Sequence, residues 1–179
     1  MFSPFQKILV ALDRSDMGQQ VFERSLALAQ THQARLMLLH VMSPMEGEAP
    51  PMIYPRPDGV YPGIYEEAIK TYARQWETHE RESRQWLQSL AERATAAGIA
   101  VEYTQNHGVP GRTICAIANT WGADLIVLGR RGHSGLSEML LGSVSNYVLH
   151  HAPCSVLTIQ GKGSVAEIKA TESLTTSSH

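Results

Sequence analysis

No apolar run in the chain approaches the eighteen or so residues that a membrane-spanning helix needs. The opening Met1-Phe2-Ser3-Pro4 also lacks the basic start and apolar centre of a secretory signal. A cytoplasmic protein without a membrane partner is expected. Cysteine is scarce. Cys115 and Cys154 are the only two, they fall on different expected elements, and no Cys-x-x-Cys spacing occurs, which suits a reducing compartment and argues against a zinc site. Both are read as buried thiols; a redox role, with His150-His151 as the neighbours that would lower the pKa of Cys154, is the lesser reading. A surplus of either charge is missing as well. With Lys+Arg 15 against Asp+Glu 17 and a formal net charge of -2, nothing attracts the whole chain to nucleic acid or anionic membrane, so phosphate binding has to be local and its ligand small.

Two well-known phosphate motifs are absent too. There is no Gly-x-x-x-x-Gly-Lys-Ser/Thr, and no Gly-x-Gly-x-x-Gly follows the first strand, which excludes a P-loop ATPase and a dinucleotide-binding Rossmann site. No Ser-His-Asp or Cys-His arrangement with supporting local motifs is present either, so no catalytic residue is assigned.

What the chain does contain is an alternation of strand and helix. At 179 residues and 43% hydrophobic content it buries one proper core, and one domain is the default. Lys7 to Leu12 reads as a first strand, a helix follows from Met17 to His32, and Arg35 to Val41 reads as a second strand. Such nearly continuous apolar strands are covered by helices on both faces. From Ser43 to Gly63, Pro44, Pro50, Pro51, Pro55, Pro57 and Pro62 with little periodicity indicate a long surface loop or flap inserted in the scaffold. A helix over Ile64 to Ala97 comes next, with Tyr65, Ile69, Tyr72, Trp76, His79, Ser83, Leu87, Leu90 and Ala94 at steps of four and three. Its far half must pack on the sheet, while Tyr72 and Trp76 in the near half either tuck over the core or meet a partner subunit. Gly98 ends this helix, and Ile99 to Thr104 reads as a third strand. Pro110 opens a helix to Trp121, stopped by Gly122; Asp124 to Leu128, a short helix Ser143 to His150 and a strand Cys154 to Ile159 complete the pattern. Residues 161–179 are polar and rich in Ser and Thr, and read as a flexible tail. The expected fold is therefore a single α/β domain over residues 1–160, five parallel strands with helices on both faces, and ligands beyond the carboxyl ends of the strands.

At that edge lies the most informative stretch, Gly129-Arg130-Arg131-Gly132, followed after nine residues by Gly142-Ser143. It joins an apolar strand to a helix start, where unpaired N–H groups and the helix dipole favour an anion. Ser143 and Ser145 would donate hydroxyl bonds to phosphate, although a serine cap alone explains Ser143. Arg130, Arg131 and His133 face either phosphate or solvent. Asp13 follows the first strand directly, at the same carboxyl edge as Gly129, and faces the loop in a sheet where those two strands are neighbours. A carboxylate there either holds Mg²⁺ against phosphate oxygens or accepts hydrogen bonds from a ribose or base, unless with Ser15 and Asp16 it only caps the next helix. Val41 ends the second strand at the same edge, either as a plain core valine or with its backbone paired to the edge of an adenine. His40 beside it reads as a satisfied core histidine.

Over roughly Phe5 to Gln160 the chain resembles the universal stress protein family. Lys7-Ile8-Leu9-Val10-Ala11-Leu12-Asp13 is similar to that family's first strand and acid, Gly108-Val109-Pro110 to its third crossover, and Ala123 to Gly129 is typical of it. Gly129-x2-Gly132-x9-Gly142-Ser143 is similar to the pattern of the ATP-binding branch. The resemblance implies a sheet ordered 3-2-1-4-5, ATP where strands one and four diverge, and a homodimer paired through the last strand. It also implies roles by motif position: Asp13 reaches the nucleotide directly or through a metal, and Val41 recognises adenine. Ala11 and Leu128 line base and sugar beside Leu12, and Gly129, Gly132, Gly142, Ser143, Val144 and Ser145 surround ribose and phosphates.

The function expected is an ATP-binding regulatory module in stress response. A slow ATPase, or a binder of AMP or a cyclic dinucleotide, is the alternative. An adenylating enzyme of the related fold is disfavoured, because Leu12-Asp13-Arg14-Ser15 stands where its Ser-Gly-Gly-x-Asp loop would be.

Overall fold

Ile8, Leu9 and Val10 have no exposed surface, because the strand that carries them is covered on both faces. The computed structural model describes residues 5–43, 62–130 and 142–160, with side chains in the long helix from residue 66 onward. Its elements in chain order are β1 (Lys7–Leu12), α1 (Asp16–His32), β2 (Arg35–Met42), α2 (Pro62–Ala96), β3 (Val101–His107), α3 (Pro110–Trp121), β4 (Leu125–Gly129), α4 (Ser143–His151) and β5 (Ser155–Ile159). The strands form one parallel sheet in the order β3-β2-β1-β4-β5.

Period-two alternation divides the core into two layers. Ile8, Val10 and Leu12, with Leu36, Leu38, Leu125 and Val127, pack against Val21, Phe22 and Ala29 of α1 and Leu87, Leu90, Ala91 and Ala94 of α2. Leu9, Met37, Leu39, Val41, Ile126 and Leu128 point the other way, onto Ile114 and Ala118 of α3 and Val148 of α4. Each large apolar side chain so buried contributes about 1.5–3 kcal/mol. The chain steps outward from β1 to β2 and β3, then returns across the sheet to β4 on the opposite side of β1. The order therefore reverses between β1 and β4, which opens a crevice at their carboxyl ends.

Several element bounds differ from expectation. α2 begins at Pro62, so Pro62 and Gly63 are helical although the proline run suggested loop. Proline is compatible with a first turn, whose N–H groups have no intrahelical partner. The rest of the expected loop, residues 44–61, and the tail, 161–179, lie outside the described residues. β3 ends at His107 rather than Thr104, because Gln105, Asn106 and His107 pair with His40, Val41 and Met42 in register. Polar residues are tolerated there since β3 is an edge strand. Ile99 instead drops into the core as the chain leaves α2, its N–H donating to the Ala94 carbonyl at 3.0 Å. Gly98 and Gly122 do terminate their helices, at φ 79° and 71°, in the left-handed region that glycine adopts without strain.

The two halves of α2 differ as their side chains suggest. Leu87, Leu90, Ala91 and Ala94 are buried, Tyr72, Trp76 and His79 half-buried, and Ile69 exposed. The Trp76 ring meets His107, the last residue of β3, at 6.1 Å between centroids.

Candidate functional site

Asp13 leaves the end of β1 and is held by the start of α1. Its Oδ1 accepts from the Ser15 hydroxyl and from the Ser15 N–H at 3.3 Å, and Ser15 Oγ in turn accepts from the Gly18 N–H at 3.1 Å. Ser15 is thus the N-cap of α1, and Asp13 braces the cap instead of serving as one. Gly18 fits closely under this turn: a Cβ there would lie 2.0 Å from the Asp13 carbonyl oxygen. The sequence carried a signal for Ser15 but none for Gly18, whose requirement is purely a contact across the turn.

Beyond β4 the chain is pinned at both ends of the glycine loop. The Arg130 N–H donates to the Ile159 carbonyl at 2.8 Å, which continues the pairing of β4 with β5. The Arg130 carbonyl then accepts from the Gly142 N–H at 3.2 Å and from the Ser145 hydroxyl at 3.1 Å. Residues 131–141, among them Arg131, Gly132 and His133, lie outside the described residues, but the chain re-enters directly beside the point where it left. Both flanking glycines are there for close approach. A Cβ on Gly129 would meet Met17 Cγ at 2.6 Å, and one on Gly142 would lie 3.3 Å from the Arg130 carbonyl oxygen.

Gly142, not Ser143, is the N-cap of α4, and no side chain caps that helix. Ser143 is exposed, whereas Ser145 is 2% exposed and turns its hydroxyl inward onto Arg130 and Gly142 carbonyls. The first-turn N–H groups of α4 have no intrahelical acceptors, an arrangement that together with the helix dipole favours a nearby anion. The Arg130 guanidinium turns aside to Gln160 Oε1 at 3.0 Å.

The apolar candidates separate by face. Ala11, Val41, Leu128 and Val144 all belong to the α3/α4 layer. Leu12 belongs to the α1/α2 layer, so only its backbone reaches the crevice. His40 is buried but only partly satisfied: Nδ1 lies 3.0 Å from the Leu12 carbonyl oxygen, and Nε2 has no partner among the described residues. The cysteines are half-buried, where buried thiols are expected from the sequence. Cys154 stands just before β5, at the opposite edge of the sheet from the loop. Burial pushes both thiols above the ordinary 9.0, and at Cys154 the charge of Asp124 and then of Cys115 adds to it. Among the described residues no group of three or more His, Cys, Asp or Glu is placed to hold a metal ion, and no helix is long and apolar enough to cross a membrane.

The sheet order β3-β2-β1-β4-β5 has a counterpart among known proteins. A model of the universal stress protein family matches residues 4–160. The chain belongs to the universal stress protein family. It is 40% identical over 160 residues to Universal stress protein Sll1388 of Synechocystis sp., covering 87% of this chain and 98% of that protein. It is also similar to the solved structure of a universal stress protein in complex with cAMP, at 25% identity and a TM-score of 0.55, over 88% of this chain and 98% of that one. The structure of hypothetical protein MJ0577 shares the fold, at 22% identity and a TM-score of 0.69, over 90% and 99% of the two chains.

Proposed function

We propose that this member of the family binds ATP at the crevice between β1 and β4 and works as a nucleotide-dependent regulatory module in stress response. The observation that carries the reading is the junction at Arg130, whose carbonyl gathers the Gly142 N–H and the Ser145 hydroxyl. That junction sets the first-turn N–H groups of α4, which have no intrahelical acceptors, at the same sheet edge as Asp13, an arrangement that suits a phosphate chain.

In this reading Val144, Ser143 and Ser145 offer backbone N–H groups to phosphate oxygens, with Gly129, Gly132 and Gly142 keeping the loop close. Arg130, on leaving Gln160 Oε1, and His133 supply the loop's cationic and aromatic side chains. Ala11 and Leu128 line base and sugar, and the Val41 backbone reads the adenine edge. Asp13 meets the nucleotide directly or through Mg²⁺. With one carboxylate on the protein side, the ion would take its other ligands from phosphate oxygens and water, as Mg²⁺ commonly does. No residue beside the crevice is assigned as a catalytic base, so occupancy rather than turnover is the output. Occupancy shifts a conformation or an assembly only as far as affinity differs between the two states.

The proposed assembly is a homodimer paired through β5, an edge strand on which Leu157 is 40% exposed. The Tyr72–Trp76 stack on α2, centroids 6.4 Å apart, is the proposed surface for any higher oligomer. Trp76→Ala would then lower the mass seen by light scattering.

The similar protein solved with cAMP favours a second reading, an adenine nucleotide with fewer phosphates such as AMP or a cyclic mononucleotide. Mass spectrometry of ligand released from freshly purified protein separates the two. ATP supports the first, AMP or a cyclic nucleotide the second, and a ligand without adenine contradicts both.

A further inference from the structure

Among the described residues, three buried side-chain atoms have no hydrogen-bond partner: His40 Nε2, Ser83 Oγ and Gln105 Oε1. His40 is 3% exposed and Ser83 0%. All three belong to the place where α2 crosses β2 and β3. His40 and Gln105 are register partners on adjacent strands. The Gln105 Nε2 donates to the Glu80 carbonyl at 3.3 Å, and the His40 ring stands edge-on to Trp86 with centroids 5.6 Å apart. Glu80, Ser83 and Trp86 succeed one another at steps of three along α2, so Ser83 sits on the same helix face, between the residue that meets Gln105 and the one that meets His40.

The bonds that are made fix the character of the atoms left over. Nδ1 of His40 faces the Leu12 carbonyl at 3.0 Å, and a carbonyl only accepts, so Nδ1 carries the proton and Nε2 of the neutral ring is an acceptor. The Gln105 nitrogen faces two acceptors, the Glu80 carbonyl and Met42 Sδ, which leaves Oε1 an acceptor as well. Ser83 brings a hydroxyl that donates. Two acceptors and one donor complement a single water, which donates twice, accepts once and so makes the three or so bonds typical of buried water. Direct donation from Ser83 to His40 would still leave Gln105 Oε1 unpaired, a costly arrangement for a buried acceptor.

We propose that one buried water, held by His40 Nε2, Gln105 Oε1 and Ser83 Oγ, fastens α2 to the sheet, and that His40, through its Nδ1–H on Leu12, holds the backbone that presents Asp13. His40 is then a positioning residue for the crevice, a last step that rests on the nucleotide reading above. A crystal structure at a resolution that orders solvent should show a water within hydrogen-bond distance of all three atoms, and lose it in Ser83→Ala. Long-range nitrogen-15 NMR should show His40 protonated on Nδ1. A dry space, a direct Ser83–His40 bond or a proton on Nε2 overturns the water site. For positioning, His40→Asn keeps an amide nitrogen where Nδ1 stood, and His40→Phe keeps a ring without a donor. ATP affinity should fall about fivefold in the Phe variant, the effect of one hydrogen bond, and stay near wild type in the Asn variant. Equal affinities in the two overturn the positioning role. A wild-type protein that binds no nucleotide would refute the nucleotide reading alone, since the solvent and tautomer results are read without ligand.

Discussion

The hydroxyl of Ser145 donates to the carbonyl of Arg130 at 3.1 Å, joining residues 15 apart in sequence and closing the glycine loop at its base. The Gly142 N–H reaches the same oxygen, so the start of α4 is fixed relative to the end of β4 by two bonds rather than one.

Ser145→Ala removes one of them in a buried place. Stability should drop by about 1 kcal/mol, the usual net worth of such a bond, and ATP affinity should weaken with it. Thermal denaturation and calorimetry on the same preparation check both; an unchanged melting temperature would mean that the hydroxyl does not brace the loop.

Gly18 provides a test of sign. An exposed glycine inside a helix gains about 1 kcal/mol on replacement by alanine. Here the new Cβ would lie 2.0 Å from the Asp13 carbonyl oxygen, so Gly18→Ala should instead destabilise by about 1–3 kcal/mol or more in urea unfolding. A stabilised variant would show that the turn after β1 is looser than described.

The cysteines predict a pH profile. Both folded-state pKa values are raised, by burial first and at Cys154 also by Asp124 and Cys115, so the folded state keeps its thiol protons longer than the unfolded chain. Their contribution to stability is constant below the ordinary value of 9.0 and declines as pH rises through the raised folded value. A thiol-specific disulfide reagent at neutral pH should react slowly with native protein and quickly in urea. Equal rates in the two would contradict the raised values.

For assembly, Leu157→Asp places a charge on the exposed edge of β5, a device that blocks strand pairing. Sedimentation should then move from twice the 19.7 kDa chain mass to the chain mass itself. A wild-type monomer, or a variant that remains a dimer, would remove β5 as the interface.

Much of this was legible in the residues. The strands of β1, β2 and β4 announce themselves as apolar runs, and the alternation that sends Leu9, Ala11 and Leu128 to one layer and Leu12 to the other is implicit in their spacing. The strand order came from the resemblance to the family, since neighbouring runs do not state which strands pair. A run of prolines looks like loop even where its last member, Pro62, begins a helix. The polar end of β3 carries no side-chain signal, because its pairing with His40, Val41 and Met42 is backbone chemistry. The inward turn of Ser145, the fit of Gly18 under Asp13 and the unpartnered face of His40 are contacts between distant segments, and no local pattern encodes them.

Calorimetry of ATP binding to the full chain and to Gly142→Val tests the nucleotide assignment most directly. A Cβ at Gly142 already approaches the Arg130 carbonyl oxygen to 3.3 Å, so the branched side chain should force the loop base apart. The account predicts saturable ATP binding by the wild type and a loss of roughly tenfold or more in the variant, as when both bonds at Arg130 are lost. Equal affinity in the two proteins, or no binding by the wild type, would contradict it.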